Sequence, residues 1–391
     1  MEMIALLLLP LAVAGITLFD GNDDDGGEEQ RPDDVDLGAG DGDYTGTPLG
    51  DSVTAGGGYE GVVDGAGGDD DIAVEGTATP EAEPFLWDDN SVGWQSGGRV
   101  GDATDGLAGV IALHGGEGDD SITASGHGID IDGGGGADSI DAAGLLGGHV
   151  HVGAGDSLVL PDAVDNTFYW TVGESGALDL AGMTGDQFVS QVATGGSVTG
   201  GSGDDSLTTE GGGVTLAGGE GDDVVQGNFD PESNAPTHSF PYDAHIGLGD
   251  DSLDGGAGDD RLTGDLGDTL TGGEGSDSFG LWLQQGSVGH VTDFDPAEDE
   301  LVLHVDGHAV TAGQIGLVER GGAMVITLDG EDLAVLEGQT GLGVAIGGFD
   351  SAGEPLPWQD PDGNLLPVGT EGELLNPGDY PVIIDRYFPA S

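Results

Sequence analysis

One nine-residue phrase recurs along this chain and constrains its fold more than any other feature. Taking GGAGDDRLT (255–263) as the ruler, the pattern is Gly-Gly-x-Gly-x-Asp-x-apolar-x. It recurs as GGEGDDSIT (115–123), GGGGADSID (133–141), GGSGDDSLT (200–208), GGEGDDVVQ (218–226), IGLGDDSLD (246–254) and GGEGSDSFG (272–280). GDLGDTLT (264–271) is one residue short, and GAGGDDDIA (65–73) is an earlier copy with Ala66 in second place. The starts at 115 and 133, and at 200 and 218, are 18 residues apart. A further 18 from 133 reaches HVGAGDSLV (151–159), which keeps Asp156 and Leu158. Degenerate copies fill the spaces: ASGHGIDID (124–132) has Ile129 at the Asp position, and TEGGGVTLA (209–217) has Val214 there.

The apolar rhythm runs Leu113, Ile122, Ile131, Ile140, lapses at His149 and resumes at Leu158. It continues through Leu180, Val189, Val198, Leu207, Leu216 and Val225, then Leu253, Leu262, Leu270 and Phe279. Of 391 residues, 82 are glycine and 75 acidic; five arginines are the only basic residues, and the net charge is −70. Such a composition suits disorder or adaptation to high salt. Both predict scattered acids, whereas these keep step. The charge also argues against nucleic acid as a partner, because that affinity rests on Lys and Arg. Cations are the natural counterparts. With no cysteine, disulfides and thiolate metal sites are excluded.

A short period with one apolar residue per unit predicts a solenoid. The x-apolar-x triplet is a strand whose central side chain points inward. The six preceding residues turn the chain, and glycine permits the positive φ this needs. Two units make one coil of 18, and coils stack by parallel strand pairing. One branched side chain per nine residues is a thin core. The sixth-position aspartates then recur on one edge at strand spacing, about 5 Å, where like charges repel. Carboxylates together with glycine carbonyls make an oxygen-rich gap suited to Ca²⁺, which takes about 6–8 oxygens; Mg²⁺ demands stricter octahedral geometry.

These nonapeptides resemble the glycine-rich repeats of the repeats-in-toxin (haemolysin-type) calcium-binding family. The good copies cover 115–159, 200–226 and 246–280. The resemblance implies an all-β, right-handed parallel β-roll or β-solenoid with a C-terminal β cap, holding Ca²⁺ between turns. It implies a bacterial protein exported by type I secretion that folds in extracellular calcium. Carried over by position, Asp120, Asp138 and Asp156 line one edge of a first block, and Asp205 and Asp223 one edge of a second. Asp251 with Asp268, and Asp260 with Asp277, line both edges of a third. Ile129 and Val214 leave the opposite edge of the first two blocks without metal.

The expected organisation is an apolar segment at 1–19, an acidic glycine-rich region at 20–105 with degenerate repeats, and a first roll block at 106–160. Degenerate coils and the second block follow at 161–226, then an inserted loop at 227–245 and the third block at 246–280. A β cap at 281–347 and a tail at 348–391 end the chain. The first segment (MEMIALLLLPLAVAGITLF) reads as a signal or anchor as readily as a buried strand or helix, and membrane is a partner only if it is an anchor. PFLWDDNSVGW, with Trp87 and Trp94, reads as an excursion from the solenoid. DFDPAEDELVL (293–303) resembles the segment that closes the roll in this family, and the tail is a place for a secretion signal. Neither H-E-x-x-H nor G-x-S-x-G occurs, so no enzyme is expected. His149 and His151 share a strand face. That pair suits a transition metal, although a partly polar strand is the plainer reading. A polysaccharide-binding or polysaccharide-active solenoid is the alternative function, with 20–105 and 160–199 the regions to search.

Overall fold

The computed structural model describes residues 34–76, 111–227, 250–265, 267–283, 288–306 and 312–348, with short gaps at 40–41, 57 and 210. It also describes the strands Ala82–Leu86, Val92–Ser96, Arg99–Gly101 and Val382–Tyr387, and a few residues between 358 and 366. The segment 1–19, Trp87 and nearly all of the 227–245 insertion lie outside the described residues. The chain is a parallel β-solenoid; among the described residues there is almost no helix, and Ala312–Gln314 forms a 3₁₀ turn. It divides into two compact units.

In the first unit one sheet stacks Asp34–Leu37, Ser52–Ala55, Asp71–Glu75, Ser121–Gly126, Ser139–Leu145 and Ser157–Val159 in that order, all parallel where paired. A second sheet orders Tyr44–Thr45, Gly61–Asp64, Ile111–Glu117 and Ile129–Gly135. Consecutive strands alternate between the two, as two repeats per coil require. Inward positions stack on their own kind: Val53, Ile72, Ile122 and Ile140 form one row, and Val63, Leu113 and Ile131 another, all buried. Like apolar side chains at strand spacing make each coil's core continuous with the next.

The second unit repeats this plan. One row runs Trp170, Val189, Leu207, Val225, Leu262, Phe279, Leu301 and Val382. The facing row runs Leu178, Val198, Leu216, Leu253, Leu270, Val291 and Leu336. Ile315–Arg320, Ala323–Leu328 and Glu331–Leu336 then pair antiparallel and close one sheet. On the other sheet Val382–Tyr387, from the end of the tail, lies between Glu300–Asp306 and Val344–Gly348, parallel to both.

Three details depart from the regular nine-residue scheme. Strands reach 6–7 residues where the glycine turns themselves pair with the next coil, as in Ile111–Glu117 and Ile129–Gly135. At the lapse in the rhythm Val150 takes the inward place and His149 faces out. Leu178, two residues before Leu180, is in register with Val198. Ile129 and Val214, at the positions of the missing aspartates, are both buried, and the degenerate units form coils.

Candidate metal centre

Each glycine of the repeat has its own steric reason, seen in GGGGADSID. A Cβ on Gly133 would strike Asp138 Oδ2, five residues ahead. Gly134 and Gly136 have φ of 95° and 150°, and a Cβ on either would strike the carbonyl oxygen of Gly116 or Gly118, one coil back. Glycine at the first position therefore makes room for the aspartate. The second and fourth allow a left-handed turn to lie flat on its neighbour.

The sixth-position aspartates form hydrogen-bonded ladders. Asp51 N–H donates to Asp70 Oδ1 at 2.6 Å, Asp70 to Asp120 at 2.7 Å, Asp120 to Asp138 at 2.9 Å and Asp138 to Asp156 at 3.0 Å. In the second unit the ladder runs from Gln187 through Asp205, Asp223, Asp260 and Asp277 to Asp299, with distances of 2.7–3.0 Å. A third ladder, on the other sheet, links Val214, Asp251 and Asp268 at 2.8 and 2.9 Å. The fifth-position aspartates bond the opposite way along the stack. Asp204 N–H donates to Asp186 Oδ1, Asp222 to Asp204, and Asp259 to Asp222, at 2.9–3.1 Å. These outer carboxylates are exposed, whereas those of the inner ladders, apart from Asp156 and Asp299, are at most 3 % exposed.

The second carboxylate oxygen separates two kinds of turn. In the closed kind, an N–H three or four residues upstream donates to it: Thr47 to Asp51, Gly201 to Asp205, Asp265 to Asp268 and Asp295 to Asp299, at 2.6–2.7 Å. In the open kind the second-position residue has positive φ, which turns its N–H away. These are Ala66, Gly116, Gly134, Gly219 and Gly256. The matching Oδ2 atoms of Asp70, Asp120, Asp138, Asp223 and Asp260 are buried without a hydrogen-bond partner. Asp277 follows Gly273, also at positive φ, whose N–H goes to Asp293 Oδ2 instead.

An ionised carboxylate with a bare buried oxygen is costly. Burial first, then the like charges above and below, raise Asp70, Asp138 and Asp277 from 3.8 to about 6 and Asp223 to about 7, against the lowering effect of the ladder N–H. Asp120 and Asp260 shift the same way for the same leading cause. Next to the bare oxygens stand carbonyls. The space above Gly65, Gly115 and Gly218 that a Cβ would fill is bordered by the aspartate Oδ2 of that turn and by the carbonyl oxygen of Gly115, Gly133 or Gly255 in the next coil. Carboxylate and carbonyl oxygens around such a cradle are the donor set of a hard cation, and Ca²⁺ fits it. Among the described residues no three His, Asp or Glu side chains converge on one point. Any ion here draws much of its shell from backbone.

Of the nine expected aspartates, the structure thus gives open turns to Asp120, Asp138, Asp223, Asp260 and Asp277 and closed ones to Asp205 and Asp268. Asp156 is half-buried at the end of its ladder, and Asp251 stacks on Asp268. Asp51, Asp299 and Gln187 were not singled out. The D-x-apolar phrases Asp51–Val53 and Asp299–Leu301 carried the signal without leading glycine pairs. Gln187 occupies the aspartate place with a neutral amide. Its Nε2 donates to the carbonyls of Asn166 (2.9 Å) and Gly185 (2.6 Å), and its Oε1 accepts from Trp170 Nε1 (3.1 Å). At this rung a side-chain NH₂ group fills the place between turn carbonyls.

A parallel β-solenoid with stacked aspartate turns is the class this geometry defines. No family model and no curated protein matches the sequence.

Proposed function

We propose that this is a secreted calcium-binding β-roll protein of the repeats-in-toxin type, structural or surface-associated, with Ca²⁺ as its folding cofactor. The observation that carries this reading is the set of five buried Oδ2 atoms without a hydrogen bond, three of which, on Asp70, Asp120 and Asp223, border a cradle shared with a next-coil glycine carbonyl. A cation there neutralises the ladder and ties adjacent coils together. Sites built mainly from carbonyls with one carboxylate per turn have little formal charge, which suits the weaker binding of extracellular calcium modules, Kd about 0.1–1 mM. That range favours a protein that stays unliganded in the cell and folds outside it. The excess of acidic over basic residues supports accumulation of divalent cations at its surface.

Metal analysis after equilibrium dialysis tests this. Several equivalents of Ca²⁺ should remain bound in millimolar calcium, Mg²⁺ should not replace them, and Asp120→Asn with Asp223→Asn should lower the count. Equal retention of Mg²⁺ and Ca²⁺, insensitive to these changes, would mean only a diffuse ion atmosphere.

A further inference from the structure

His149 and His151 belong to the strand Gly148–Val152, where they alternate with the buried Val150 and Val152 and so face outward together. On the next strand, Tyr169–Val172, Thr171 is in register with His151. Both imidazoles meet its hydroxyl: His149 Nε2 lies 3.2 Å from Thr171 Oγ1 and His151 Nδ1 2.8 Å. A hydroxyl has one proton, so it donates to one ring and accepts from the other. Two ring nitrogens therefore already converge on one oxygen. Beside it opens a cavity of about 300 Å³ whose lining includes His151, Thr171, Glu174, Thr194 and Gly211.

The chain has no cysteine, and its 75 carboxylates are hard donors that suit calcium. Imidazole suits zinc, copper and nickel instead. We propose that His149 and His151 form a site for a divalent transition-metal ion of the zinc–copper class, with Thr171 Oγ1 as a third, weaker donor. Residues i and i+2 on one strand face reach a common ion at about 2.0–2.1 Å each through side-chain rotation alone. With no third His, Asp or Glu in the group among the described residues, the remaining coordination positions are open. They face the cavity, where water or a small anionic or nitrogenous ligand completes the shell. This site is independent of the calcium reading, since it uses nitrogen donors on the outer sheet face rather than oxygens in the turns.

The test is Cu²⁺ titration of the full chain in excess calcium, followed by electron paramagnetic resonance and calorimetry. One equivalent with hyperfine coupling to two nitrogens is expected. His149→Ala and His151→Ala should each weaken it at least about tenfold and remove one nitrogen, whereas His290→Ala, on another coil, should leave it unchanged. Circular dichroism identifies any variant that fails to fold, and the unmodified chain's spectrum still decides. All-oxygen coordination there, or nitrogen coupling that survives the double substitution, overturns the proposal.

Discussion

The backbone N–H of Asp223 donates to Asp260 Oδ1 at 2.8 Å across 37 residues of chain, more than twice the usual 18 between rungs. The ladder passes the insertion without losing register. Gly227 shows where the insertion enters: a Cβ there would meet Asp251 Oδ2 at 3.5 Å and Asp268 Oδ2 at 3.2 Å, as expected of a first-position glycine. Gly227 followed by 247–254 reads GGLGDDSLD, a complete nonapeptide.

Removing residues 228–246 should therefore restore an unbroken repeat. The shortened chain should fold to the same β-type circular dichroism spectrum, with a calcium midpoint within about twofold of the parent. Loss of cooperative folding would show that the segment is part of the coil.

Asp223 has two separable roles, and two substitutions divide them. Asp223→Asn keeps an oxygen for the Asp205 N–H but removes the charge, so calcium affinity falls while the metal-free fold is unharmed. Asp223→Ala also orphans the buried N–H of Asp205, which costs about 1–3 kcal/mol. Urea unfolding in chelator at pH 5, where protonation takes the place of the metal, should rank Asn above Ala, and in calcium at pH 7.5 both should fall below the parent. Equal behaviour of the two in chelator would deny the ladder bond a structural part.

Stability without metal should rise toward acid. Burial and neighbouring carboxylates hold Asp70, Asp138, Asp251 and Asp277 at about 6 and Asp223 at about 7, against the ordinary 3.8. The folded chain then binds more protons than the unfolded one between about pH 4 and 7. This contribution is complete below the unfolded value and is lost as pH rises through the folded ones. In chelator the β-type circular dichroism signal should be larger at pH 5 than at pH 7.5, and Asp223→Asn should narrow the difference. Calcium, which binds the ionised form, should raise the pH 7.5 value more. A chelated chain more folded at pH 7.5 than at pH 5 contradicts the account.

Ala66 sits at φ 73° where the other open turns have glycine. A left-handed non-glycine residue costs about 1–2 kcal/mol, so Ala66→Gly should stabilise the first unit by about 1 kcal/mol, read as a higher denaturant midpoint. No gain would mean that the turn does not hold this conformation in solution.

Much of this was legible in the sequence because the repeat encodes contacts one coil away. The apolar position of the nonapeptides names a core residue, except at the half-buried Leu158, and the sixth position names a rung. Legibility failed where alternation could restart, as at His149, where the next residue, Val150, takes the core place. It failed again at Leu178, which lies 20 residues rather than 18 before Val198. The division into open and closed turns is hidden, since Gly201 and Gly219 are the same residue in the same position and differ only in φ. The tail strand Val382–Tyr387 was also hidden, because its partners at 300–306 and 344–348 follow no period.

Folding driven by calcium at the open turns is the central claim, and far-UV circular dichroism during a calcium titration at pH 7.5 tests it most directly. In chelator the signal should be largely that of an unfolded chain. Calcium at about 0.1–1 mM should produce the β spectrum cooperatively, with bound calcium measured on the same samples rising in step. Each ion that binds only the folded chain adds about 1.4 kcal/mol at a tenfold excess over its Kd, so a handful of turns suffices to shift the equilibrium. A full β spectrum in chelator that calcium leaves unchanged would contradict the claim.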